Sequence, residues 1–214
     1  MAFRIAVLIS GEGTNLQALL DHAHGEPAGA AGAIEVVGVA SSRAEARGLE
    51  RARRAGVDTA VFAIADHPDR TARDRALADW LDGLEVDLVV LAGFMELLGP
   101  ELIGRFAGRI LNVHPSLLPA FPGVRAIRQA LDHGVKVLGV TVHLVDDGVD
   151  SGPIVLQESF PLLPYPRGIV EVEERVHEVE HRLLPRAVRL IAAGRVSPDP
   201  SNPRMLKIED GERD

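Results

Sequence analysis

Short apolar runs alternate with helix-length segments over the first 113 residues, and few folds accept that pattern. Residues 3–9 (FRIAVLI), 34–40, 59–64, 86–91 (VDLVVL) and 109–113 carry the β-branched and apolar character of buried strands. Between them, residues 15–22, 44–55 and 70–81 have the spacing of amphipathic helices, Gly56 offers an αL end to the second, and Gly99-Pro100 opens a short fourth. Strands and helices in regular succession imply a mostly parallel, twisted sheet covered on both faces, a three-layer α/β/α and Rossmann-like arrangement. At 214 residues, 46% of them hydrophobic, the chain is long enough to bury one such core.

The pattern changes after Pro119. A short helix at 127–131 is followed by two extended apolar runs, 135–145 and 153–160, joined by the acidic stretch 146–152 with no helix between them. These predict an antiparallel addition to the sheet, with the acidic loop near its carboxyl edge. Residues 162–168 are Pro-rich and irregular. A long helix over 170–193 would bury Val172, Val176, Val179, Leu183, Ala187, Leu190 and Ile191, with a bend at Pro185. We expect residues 1–194 to form one domain, and 195–214 to be a tail packed on it or trailing from it as a strand pair with a solvated acidic end.

The formal net charge of −8 argues against nucleic acid or an anionic membrane as the main partner. The absence of cysteine excludes disulfides, thiolate catalysis and Cys-based zinc sites, and none of the eight histidines shows an HExxH spacing. The first apolar run, about eight residues, is too short for a signal peptide or a membrane span, so a cytoplasmic protein is expected.

Within this frame three groups of residues carry chemistry. Strand alternation sends Asn112 and His114 to the same face, and Pro115 ends the strand just beyond them, at the sheet edge where open α/β folds bind ligands. The turn Gly11-Glu12-Gly13-Thr14-Asn15 offers backbone N–H groups at a helix N-terminus, which suits a phosphate, although it has neither the third glycine of a dinucleotide fingerprint nor a P-loop lysine. A plain βα turn reads equally well from these residues alone. The third group, Asp146, Asp147 and Asp150, is either a solvated acidic turn or a cation site whose spacing does not match an EF-hand.

Taken together, Gly13-Thr14-Asn15, the stretch from Asn112-x-His114 through Pro119, and Gly139-Val140-Thr141-Val142-His143-x-x-x-Asp147-x-x-Asp150-x-Gly152-Pro153 resemble the glycinamide ribonucleotide formyltransferases of the folate-dependent formyltransferase superfamily. The likeness runs nearly end to end and includes residues 89–95 (VVLAGFM) and 128–131 (RQAL). It implies transfer of the formyl group of 10-formyltetrahydrofolate, as co-substrate and without a metal, to the amine of glycinamide ribonucleotide, a step of purine biosynthesis. By the same resemblance Asn112 and His114 stabilise the tetrahedral oxyanion, and Asp150 holds His114 charged and assists proton transfer. Gly13, Thr14, Asn15 and Glu180 contact glycinamide ribonucleotide. Arg70, Leu91, Phe94, Met95, Glu96, Leu97, Leu98, Asn112, Val145, Asp146, Asp147 and Asp150 line the folate site. Glu180 also stands out in the helix pattern, as a carboxylate on an apolar face bounded by Val176, Leu183 and Leu184.

The chain departs from the family pattern at three places. Arg125 replaces a histidine that supports the catalytic aspartate, Glu96 stands where a basic residue often meets the folate tail, and residues 165–168 lack the usual acidic pattern. The resemblance leaves 10-formyltetrahydrofolate hydrolysis as the nearest enzymatic alternative and a non-catalytic folate- or nucleotide-binding module as a third reading. Small-molecule substrates, no nucleic acid, no membrane, and a monomer or homodimer complete the expectation.

Overall fold

The computed structural model describes residues 1–29, 32–166 and 168–209. Its centre is a seven-stranded sheet of order β3-β2-β1-β4-β5-β6-β7. The strands are β1 (Phe3–Ile9), β2 (Ile34–Ser41), β3 (Thr59–Val61), β4 (Leu88–Leu91), β5 (Ile110–His114), β6 (Val137–Leu144) and β7 (Ile154–Pro161). β1 to β5 run parallel, while β6 is antiparallel to both of its neighbours, β5 and β7. The order reverses between β1 and β4, the switch point at which α/β sheets of this kind open a crevice.

Strand alternation divides the interior in two. Ile5, Val7 and Ile9 of β1, with Leu88 and Val90 of β4, join one core. The intervening Ala6 and Leu8, with Val89 and Leu91, join the other. The first core is closed by α1 (Thr14–His22), α2 (Arg47–Arg54), α5 (Ala126–Asp132) and α6 (Ile169–Ala192), through Leu16, Leu19, Leu49, Ala130, Val172, Val176 and Leu183. The second is closed by α3 (Arg70–Gly83) and α4 (Pro100–Arg105), through Leu77, Leu81 and Leu102. Truncating one such leucine to alanine would cost about 2–5 kcal/mol.

Several boundaries differ from the sequence reading. The third strand stops at Val61 and gives way to a 3₁₀ turn at Ile64–Asp66. The second helix begins at Arg47, because Ser41 Oγ both accepts the Arg43 N–H (3.0 Å) and donates to the Arg43 carbonyl (2.8 Å), holding the chain in a turn. β6 stops at Leu144, opposite Leu111 of β5, so the acidic loop leaves the sheet below the level of Asn112 and folds back. Beyond α6, β8 (Val196–Asp199) and β9 (Asn202–Ile208) form a separate antiparallel hairpin. Its Val196, Leu206 and Ile208 pack on the first core. The acidic end at 210–214 lies outside the described residues. No helix among the described residues is long and apolar enough to cross a membrane.

Candidate active site

β4 pairs with β5 only as far as Leu91 opposite Asn112, so β5 runs two residues further and carries His114 past the edge of its parallel neighbour. On its other side Asn112 lies opposite His143 and His114 opposite Thr141, across the antiparallel β5–β6 ladder. The loop after Pro115 is folded back by buried Thr141, whose Oγ1 donates to the Ser116 carbonyl (2.7 Å) and accepts from the Leu118 N–H (3.1 Å). Ser116 Oγ donates to the Ala120 carbonyl at 2.5 Å, and Gln157 Nε2 to the Leu118 carbonyl at 2.9 Å. These ties return two backbone groups to the site. The Phe121 carbonyl lies 2.9 Å from His114 Nε2, and the Gly123 N–H donates to Asp150 Oδ2 at 2.7 Å.

Asp150 is the hub. Its Oδ2 is 3.3 Å from His114 Nδ1, and its Oδ1 is 3.4 Å from Asn112 Nδ2 and 3.5 Å from His143 Nε2. Burial pushes its carboxyl up, but the His143 ring, the Gly123 N–H and the charge on His114 together outweigh burial and hold it below the ordinary aspartate range. The His114 ring meets an acceptor at each nitrogen and satisfies both only with a proton on each. The geometry is held under backbone strain. Phe121, Arg125 and Asp150, three of the four non-glycine residues with positive φ among those described, all lie in the two loops that build this cluster.

His143 carries no role in the sequence reading. It is buried at 2% exposure, with Nδ1 2.9 Å from the Leu144 carbonyl and Nε2 3.3 Å from Asn112 Nδ2. Nε2 also faces Asp150 Oδ1 at 3.5 Å and serves one of the two at a time, as a lone pair accepting from the Asn112 amide or as an N–H donating to the carboxylate. The available signal is its period-2 relation to Thr141. Its significance depends on a cross-strand register that a single sequence does not give. His143 also bears on Arg125, which is exposed at the αL N-cap of α5. Asp150 takes its support from His143 and Gly123.

The first turn forms a second group. Gly13 adopts φ 71° as the N-cap of α1, and no side chain caps that end, so the first-turn N–H groups face outward. A Cβ on Gly13 would lie 2.5 Å from the Gly48 Cα, so glycine is required by conformation and by space. Asn15 Nδ2 donates to Glu180 Oε2 of α6 at 2.8 Å, and both residues are buried. Burial raises the Glu180 carboxyl pKa, opposed by the Asn15 bond and by His177. Asn15 Oδ1 has no hydrogen-bond partner among the described residues. Asn15 Oδ1 and the Glu180 carboxylate are acceptors, suited to hydroxyl or amine donors, whereas the helix end suits an anion.

The candidate folate residues separate. Phe94, Leu98 and Val145 pack with Leu91 on the second core, whereas Met95 and Leu97 are 70% and 59% exposed. Glu96 lies half-buried between them. Asp146 Oδ1 is occupied by the Gly148 N–H (3.0 Å) and Ser151 Oγ (2.7 Å), Asp147 is exposed, and Asp150 turns to the histidines. The three carboxylates therefore diverge, and among the described residues no His, Cys, Asp and Glu group is arranged to hold a metal. Arg70 is exposed at the first position of α3.

Comparisons with known proteins give the family. The family described as formyl transferase matches residues 3–188. A phosphoribosylglycinamide formyltransferase of Haemophilus influenzae is 42% identical over 193 residues, covering 90% of this chain and 89% of the relative. The enzyme of the same name from Mycobacterium tuberculosis is 47% identical, covering 88% and 85%. Among solved structures, glycinamide ribonucleotide transformylase 1 of Symbiobacterium toebii superposes with a TM-score of 0.90 at 50% identity, over 98% of this chain and 95% of the other. Sequence and fold converge, and the chain belongs to the formyl transferase family, in the group of the phosphoribosylglycinamide formyltransferases.

Proposed function

We propose that this chain transfers the formyl group of 10-formyltetrahydrofolate to the primary amine of glycinamide ribonucleotide, with Asn112, His114 and Asp150 as catalytic residues. The observation that carries the reading is the convergence, beside one strand end, of an amide, an imidazole held at Nε2 by a carbonyl and facing a carboxylate at Nδ1, and that carboxylate. The amine attacks the formyl carbon, forming a C–N bond and opening the carbonyl to an oxyanion. Asn112 Nδ2, held only by long contacts of 3.3 and 3.4 Å, shifts to that oxygen as a donor. His114 is the second donor, drawing on a proton it now shares with Phe121 or Asp150. Asp150, directly or through water, takes the proton that the amine loses. When the bond to the folate N10 breaks, that nitrogen receives a proton by the same relay, giving the formamide and tetrahydrofolate.

In this reading the phosphate sits on the N–H groups of Gly13, Thr14 and Asn15, and Glu180 with Asn15 Oδ1 accepts from the hydroxyl or amine groups of the same substrate. The folate lies against Leu91, Phe94, Leu98 and Val145, with residues 95–97 and 146–147 at its rim and Arg70 near its tail. The enzyme works on small molecules in the cytoplasm as a monomer or homodimer, with residues 1–194 as the catalytic domain and 195–214 as an appended tail. An absorbance assay following 10-formyltetrahydrofolate, with and without glycinamide ribonucleotide, tests the proposal. Loss of formyl that depends on the amine is expected. Amine-independent loss would make the chain a hydrolase, and no loss a binding module.

A further inference from the structure

The segment 94–99, which bears much of the proposed folate wall, is held from beneath by side chains the mechanism does not use. Arg73 is 0% and Asp74 2% exposed, and their Nε and Oδ1 atoms are 2.7 Å apart. Arg73 Nη2 donates to the Leu97 carbonyl at 3.2 Å, and its guanidinium lies 5.7 Å from the centre of the Phe94 ring. Asp74 Oδ2 accepts the Gly99 N–H at 2.6 Å, and a Cβ on Gly99 would sit 2.7 Å from that oxygen. From the other side of the crevice, Ser10 Oγ accepts the Met95 N–H at 2.9 Å.

Stability alone is a poor reason for this arrangement. A buried ion pair roughly cancels its own desolvation, and apolar residues of similar volume generally do as well or better. Arg73 Nε and Nη1 and Asp74 Oδ1 are buried with no hydrogen-bond partner among the described residues, a further cost. Yet the pair's remaining polar atoms go to the backbone of a surface segment in which Met95 and Leu97 are largely exposed, so what they fix is the shape of that segment.

We propose that Arg73 and Asp74 are positioning residues for folate, pinning the Leu97 carbonyl and the Gly99 N–H so that segment 94–99 is ordered before the ligand arrives. The inference rests on the folate reading above. Preordering removes an entropy cost from binding, so losing it raises the KM for folate and leaves glycinamide ribonucleotide, bound on α1 and α6, unaffected.

The test is the double variant Arg73→Met with Asp74→Asn, which leaves no lone buried charge and keeps an acceptor for Gly99. Arg73→Lys serves as the conservative variant. Arg75→Ala, which removes an exposed partner of Glu101 on the same helix, serves as the control. Amide hydrogen exchange over 95–99 should accelerate in the double variant, and the KM for 10-formyltetrahydrofolate should rise roughly tenfold. The KM for glycinamide ribonucleotide and kcat should stay within about twofold, and Arg73→Lys should recover part of the loss. Unchanged exchange overturns the clamp, whatever happens with folate. Accelerated exchange with an unmoved folate KM, or with both KM values and kcat shifting together, overturns its link to folate. If the wild type fails to turn over 10-formyltetrahydrofolate, the folate reading fails instead, and the exchange data still judge the clamp.

Discussion

Replacing His143 by leucine separates orientation from packing, because leucine fills much of the same buried volume and removes both ring nitrogens. The structure sets the size of the effect. Nε2 stands 3.3 Å from Asn112 Nδ2 and 3.5 Å from Asp150 Oδ1, both at the long end of the hydrogen-bond range, and holds one of them at a time, while Nδ1 meets the Leu144 carbonyl at 2.9 Å. The one bond that Nε2 makes within the site is worth roughly 0.5–1 kcal/mol, or about 2- to 5-fold in kcat/KM, whereas the Nδ1 bond bears on stability. A second consequence has a definite sign. Burial pushes the Asp150 carboxyl up, and His143 is foremost among the groups opposing it. Without that ring the balance moves toward the protonated acid, so the acid limb of the pH–rate profile moves to higher pH. The assay is the formyl-folate absorbance change measured across acid pH, with a thermal melt to establish folding. A folded variant whose rate is unchanged, or whose rate falls while its acid limb stays put, would refute the argument.

Alanine at Asn112, His114 or Asp150 should each lower kcat by on the order of a hundredfold or more while the fold survives, and near-native turnover by His114→Ala would end the catalytic assignment. Gly13→Ala combines a positive φ of 71° with a backbone clash at Gly48, so it should raise the KM for glycinamide ribonucleotide at least tenfold, about 1.4 kcal/mol, in steady-state kinetics. Glu180→Gln should improve stability and weaken substrate binding. Because the folded Glu180 pKa is raised, wild-type stability declines as pH climbs from the ordinary glutamate value through the raised one, and urea melts of the variant should lack that decline. Asp150 works the other way, since its depressed pKa contributes stability that is complete above the ordinary aspartate range and lost as pH falls through the folded value. Asp150→Asn should flatten the acid side of the stability curve.

The parts of this molecule that sequence periodicity reaches are those in which one element decides its own fate. Ile5 and Val7 against Ala6 and Leu8 divide between the two cores as strand alternation requires. Glu180, a carboxylate amid Val176, Leu183 and Leu184, is conspicuous in the pattern and is buried, as its neighbours imply. What stays hidden depends on distant segments. The role of His143 follows from the β5–β6 register, and the Asn15–Glu180 bond spans 165 residues. Nothing local separates Arg73, fully buried, from Arg75 two positions later, exposed and paired with Glu101. The short strand β3 and the late start of α2 escape the apolar pattern because a 3₁₀ turn and a serine turn compete with it.

The bond between Asn15 and Glu180 also bears on how the molecule comes into being. One partner lies in the first turn of α1 and the other in α6, 165 residues later in the chain. The central strands repeat the theme, with β1 finding its second neighbour only when β4 has been made. Such non-local pairing slows folding, because loop-closure entropy comes due before the contacts that offset it. It also means that a nascent chain stopped before α6 has the Gly13 turn without its acidic counterpart, so the proposed glycinamide ribonucleotide site is complete only once α6 has been made.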